Sequence, residues 1–139
     1  METDITELML HGHPMLLVDK VLEVVNGKFA KTLFEIKPGN IFLDKNNVLK
    51  RTAHIEIMAQ ALAAANAFNS KLNNKPTQKG FLVMLKNINF FADARCNDVL
   101  ECHISIEDVI VQTHIAQGKL FKQDGTLLCE GEIRIYCFD

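Results

Sequence analysis

The hydrophobic patterning of this chain predicts an α+β fold in which an antiparallel sheet of five or six strands wraps around one long helix. Three observations carry that prediction. The stretch RTAHIEIMAQALAAANAF, residues 51–68, has a helical pattern yet is apolar on almost every face, so other structure must enclose it. Runs with strand-like alternation lie on both sides of it, two before and about four after. Asn26-Gly27 separates the first two runs, and this is the dipeptide that best accepts the positive φ angles of a tight hairpin turn.

Taken in order, ITELM near the start reads as a turn or two of amphipathic helix, ended by His11-Gly12-His13-Pro14. MLLVDKVLEVV (15–25) and KFAKTLFEIK (28–37) form the hairpin, which Pro38-Gly39 closes. GNIFLDKNNVLK (39–50) follows neither period and reads as a loop. Thr52 is the expected N-cap of the helix, which runs to Leu72, where Asn73, Asn74 and Pro76 stop it. Four strand-like runs follow, at 80–92, 99–109, 109–122 and 126–138, with turns at Arg95 to Asp98, near Asp108 and at Asp124-Gly125. One helix apolar on most faces and one long antiparallel sheet pack economically if the sheet curls around the helix. That is the hot-dog arrangement, here spanning residues 1–139 as one domain. A single curled sheet leaves edges and a helix flank uncovered, so at least a dimer is expected.

Composition narrows the function classes. Apolar residues make up 48% and charged residues 23% of the 139, the balance of a folded globular protein rather than a disordered one. A net charge of −2 with scattered basic residues argues against a nucleic-acid surface. Cys96, Cys102, Cys129 and Cys137 lack metal-pair spacing and read as small hydrophobes in a reducing compartment. The acidic start METDITELML has no signal-peptide pattern, and no apolar run reaches membrane-spanning length. A cytoplasmic protein is therefore expected. No phosphate-binding glycine motif and no nucleophile elbow is present.

The helix carries the candidate chemistry. Glu56 lies near its start, where unpaired backbone N–H groups favour an anion, while Ile55, Ile57 and Met58 exclude water from it. Those opposing pulls suit a general acid or base. Gln60, one turn on, shares its face and could bond the carboxylate or a substrate carbonyl. Ala63, Ala64 and Ala67 beyond it leave room for a close strand or for an extended apolar ligand. A purely structural reading, with Glu56 and Gln60 satisfying each other at a dimer interface, stands beside the functional one. His54 lies about 200° around the helix from Glu56, so the two form no dyad on one face. It could act only from a frayed helix start or across a dimer interface. His103 and His114 fall in strands and read as structural. His11, His13 and Pro14 sit in a loop, where binding residues concentrate, but no third ligand is evident for a metal.

Two segments resemble the β-hydroxyacyl-acyl-carrier-protein dehydratases of fatty-acid synthesis. HGHPMLLVDKVLE is similar to that family's opening motif, with His11, Pro14, Leu16, Leu17, Val18 and Asp19 matching and Lys20 in place of arginine. IEIMAQALA resembles its helix start, with Glu56, Met58, Ala59 and Gln60 matching. The resemblance implies a hot-dog homodimer or heterodimer that binds a fatty acyl thioester in a tunnel beside the helix. The acyl group would be carried on the phosphopantetheine of an acyl carrier protein or of coenzyme A, with no other cofactor and no metal. It further implies that Glu56 is the acid partner, working with a histidine from the other subunit, and that Gln60 supports it. The family places its histidine before the helix, and here Phe42 falls at that spacing. In this the chain resembles the dehydratase-like proteins of aryl-polyene and polyketide-type pathways. A 3-hydroxyacyl-thioester dehydratase in which His54 or a partner's histidine replaces the missing one is the first expectation. A hot-dog thioesterase and a non-catalytic acyl-binding subunit are the alternatives. Lys71, Lys75, Lys79 and Lys86 are candidate contacts for an acidic carrier.

Overall fold

The computed structural model describes residues 16–25, 28–76 and 79–138. Its elements are β1 (Lys20–Val25), β2 (Phe29–Glu35), α1 (Arg51–Leu72), β3 (Lys79–Phe90), β4 (Val99–Ile110), β5 (Thr113–Lys122) and β6 (Leu127–Phe138). The six strands form one antiparallel sheet in the order β1-β2-β4-β5-β6-β3. β3, first in the chain after the helix, thus ends the row opposite β1. This is the hot-dog arrangement expected from the sequence, with all six strands realised.

The sheet curls because its inner positions are short or branched and its helix is apolar. Ala30, Thr32 and Phe34 of β2, Leu100, Cys102 and Ile104 of β4, and Ile133, Ile135 and Cys137 of β6 are all buried. All but Ala30 and Thr32 join Ala53, Ile57, Met58, Ala61 and Leu62 of α1 in one continuous core. A second cluster joins Val18 and Val21 to Ala64, Ala67 and Phe68 at the later half of the helix. Burying each large apolar side chain here contributes about 1.5–3 kcal/mol. The helix packs tightly on the sheet at Gly118, where an added methyl would stand 2.7 Å from Met58 Sδ and 3.2 Å from Ile104 Cδ1.

Several boundaries differ from the sequence reading. The helix begins at Arg51, capped by an extended Lys50 with no side-chain capping bond, so Thr52 lies inside the first turn and is not the N-cap. The first strand begins at Lys20, not at residue 15. Just before it, the N–H of Leu17 is committed to a helix side chain, the Gln60 Oε1 at 2.7 Å. The strand break expected near Asp108 falls at Val111 and Gln112, and Val111 takes φ +59°. A β-branched residue rarely adopts this conformation, which is why no turn residue marked the place. Lys28 N donates to Val25 O at 2.8 Å and closes the first hairpin, while Asn26-Gly27 lie outside the described residues.

Candidate functional site

Glu56 is half-buried in the second turn of α1, and its carboxylate is held by a short relay. Gln60 Nε2 donates to Glu56 Oε1 at 3.2 Å, and Gln60 Oε1 accepts the Leu17 N–H at 2.7 Å. Because a backbone N–H can only donate and a carboxylate can only accept, the amide has a single orientation that satisfies both. Gln60 is only 1% exposed, so its rotamer is fixed by packing as well. The consequence is a carboxylate aimed by a side chain that is itself anchored to the chain entering β1.

The side chain borders a groove of about 210 Å³ between helix and sheet. Glu56, Ala59, Gln60 and Ala63 form the helical wall, with Gly80 and Leu82 of β3 and Ile135 of β6 opposite. The wall combines one carboxylate and one amide with alanines and branched aliphatics. An apolar chain with a polar, reacting end fits such a lining.

The structure brings Glu56, Gln60 and Ala63 together and leaves His54 apart. His54 is fully buried, its ring tilted against Phe90 at 5.7 Å between centroids, and neither ring nitrogen has a hydrogen-bond partner among the described residues. Burial lowers its pKa to about 4, against a smaller raising pull from Asp93 and a lowering push from Arg51. Arg51 and Asp93 pair at 3.0 Å, and the Arg51 guanidinium lies over the Phe90 ring at 5.4 Å. His54 is thus a neutral imidazole beneath a surface ion pair, away from the groove wall. His11, His13 and Pro14 lie outside the described residues. His103 faces away from the helix, its Nε2 3.0 Å from Glu101 Oε1 and its ring beside Phe29 and Phe121. Lys71 and Lys75 are exposed at the end of the helix and Lys86 on β3. Among the described residues no three His, Cys, Asp or Glu side chains gather as a metal site, and no helix is long and apolar enough to cross a membrane.

Phe42, at the spacing where the dehydratases place their histidine, packs partly buried against the core. Its carbonyl accepts the N–H of Lys50, the helix cap, at 2.9 Å. Sequence reading missed Leu17 as the anchor of Gln60, since a backbone N–H leaves no signature. It also missed Gly80, which lines the groove.

The profile of the family described as ApeP-like, ApeP dehydratase, matches residues 3–138. The chain belongs to the ApeP-like family. Its curated relatives include the 3-hydroxyacyl-[acyl-carrier-protein] dehydratase FabZ of Caldicellulosiruptor bescii, 29% identical over 134 residues, covering 93% of this chain and 92% of that one. FabZ of Bacillus cereus is 30% identical over 134 residues, covering 93% and 90%. Among solved structures, the dehydratase heterocomplex ApeI:P from Xenorhabdus doucetiae superposes with a TM-score of 0.89 at 18% identity, over 97% of this chain and 91% of that one. A hypothetical thioesterase of Streptococcus pneumoniae, solved with coenzyme A, gives 0.67 at 10% identity, over 85% and 84%. These likenesses show a shared hot-dog fold, and the ApeP-like family and FabZ relatives make the chain dehydratase-related.

Proposed function

We propose that this protein is a subunit of a cytoplasmic dehydratase acting on 3-hydroxyacyl thioesters in fatty-acid or polyketide-type lipid synthesis, with the acyl group presented by an acyl carrier protein or coenzyme A. The observation that carries the reading is the aimed carboxylate of Glu56 at the border of an apolar groove. Its role is to exchange protons with the substrate: the C–H bond α to the thioester carbonyl breaks, and the β-hydroxyl departs as water after taking up a proton. A second acid/base group is needed so that one residue removes a proton while the other delivers one. His54, buried under Phe90, is poorly placed for this, which favours a histidine from a partner chain.

The partner would join through β3. Phe81, Leu82, Val83, Met84 and Leu85 are all at least 40% exposed, on both faces of a strand that ends the sheet. Such an edge calls for another strand beside it, and the Xenorhabdus doucetiae neighbour is a dehydratase heterocomplex. A second hot-dog subunit is therefore the proposed partner. The same geometry supports a second reading, that of a non-catalytic acyl-binding subunit, because no imidazole among the described residues borders the groove with Glu56.

Turnover of 3-hydroxyacyl thioesters by the chain, alone and with a related hot-dog subunit, separates these readings. Glu56→Gln should lower dehydration about 10²- to 10⁴-fold with an unchanged circular dichroism spectrum. Full activity in that variant would assign the chemistry elsewhere, and release of free thiol in place of enoyl product would indicate a thioesterase.

A further inference from the structure

Ala63 is the last residue of α1 that lines the groove. Ala63 lies seven residues after Glu56, about 10 Å along the helix at 1.5 Å per residue. The next side chain on that flank, Asn66, leaves the helix and reaches the sheet, its Nδ2 lying 3.8 Å from Cys137 Sγ. Cys137 pairs in register with Gly80, which forms the groove wall. At Gly80 the strands are packed so closely that an added methyl would stand 2.8 Å from Ile135 Cγ2 and 3.8 Å from Cys137 Sγ. Helix and sheet therefore touch just past Ala63, at the Asn66–Cys137 contact.

We propose that the Asn66–Cys137 contact is the floor of the groove and that Ala63 sets its bore just above it, so that together they limit acyl-chain length to short or medium chains. The proposal rests on the reading of the groove as an acyl site. A chain whose reacting carbons lie at Glu56 runs down the helix face past Ala59 and Ala63. On reaching Asn66, about 15 Å from Glu56 along the axis, it meets an amide that an alkyl end cannot hydrogen-bond. Further methylenes must then displace Asn66, desolvating its amide, or turn out toward the open β3 side. Either course costs the affinity that each added methylene would otherwise supply.

Binding of saturated acyl-coenzyme A thioesters of increasing length to the full chain, followed by calorimetry, tests this without requiring turnover. Wild-type affinity should rise with length and then break. Asn66→Ala should move the break to longer chains and Ala63→Leu to shorter ones, with changes of about tenfold at lengths flanking it. Asn66→Ser and Ala63→Val serve if either variant fails to fold. An affinity that climbs without a break, or a break that stays in place in the variants, overturns the length limit while leaving the acyl site standing. Failure of every chain length to bind overturns the acyl site itself, and the limit with it.

Discussion

At His54 the fold keeps an imidazole out of water with neither nitrogen bonded among the described residues, and the consequence is a pH dependence of stability. Burial lowers its pKa from 6.5 to about 4. Between those values the unfolded chain binds a proton that the folded chain refuses, so stability rises with pH across that window and falls as the solution is acidified. The full effect is about 3 kcal/mol at most, reached near pH 4. His114, also lowered by burial, adds a change of the same sign. His54→Leu should therefore flatten the fall in urea midpoint between neutral pH and pH 5, and it removes two unsatisfied nitrogens besides. An unchanged fall would place the acid sensitivity elsewhere. The contrast with Glu56 is instructive. Glu56 and Gln60 were legible because an i, i+4 pair on one helix face is fixed by geometry alone, whereas the Leu17 N–H that orients Gln60 is backbone and carries no sequence signal.

Among the elements, β3 is where sequence pattern and burial part most clearly. GFLVMLKNINFFA reads as a strand with one inward face, yet Leu82 and Leu85, paired with the buried Ile135 and Ile133, remain 40% and 44% exposed. The helix packs over the middle strands and leaves this edge bare. Register shifts at Leu82/Met84 and Lys86/Asn89 bend the strand, which limits how long a partner can follow it. Leu85→Lys should convert an assembly joined at this edge to monomer, as read by light scattering on a sizing column, while leaving the circular dichroism of the subunit unchanged. Persistence of the assembly would move the interface off β3. The helix was legible to within two residues at its start, because its apolar run is long. Its cap was not, because Lys50 caps through backbone conformation and not through a side chain. The β4/β5 turn was hidden because apolar Val111 occupies a position that usually selects glycine or asparagine.

For the molecule as a whole, the order of hairpin, helix and four further strands was enough to predict a sheet curled on a helix, since that arrangement encloses an all-apolar helix with few connections. A simple four-strand meander after the helix is not what forms, because β3 pairs with β6 and not with β4. The spatial strand order, with β3 carried to the far edge beside β6, was not legible, because pairings distant in sequence leave no local trace. The curl depends on contact between layers, and at Gly118 there is no room for a side chain. Gly118→Val should drive the side chain into Met58 and Ile104 and cost about 1–3 kcal/mol, seen as a lower urea midpoint. An unaltered midpoint would mean that the helix can lift from the sheet freely.

The same enclosure governs how the four cysteine thiols meet oxidants. Burial raises the Cys102 thiol strongly, the Cys129 thiol to about 11, and the Cys137 thiol above its ordinary value, and peroxide and electrophiles attack the thiolate. Those three are held in the less reactive thiol form while the chain is folded. Cys96, half-buried in its turn between β3 and β4, is the cysteine most open to oxidants.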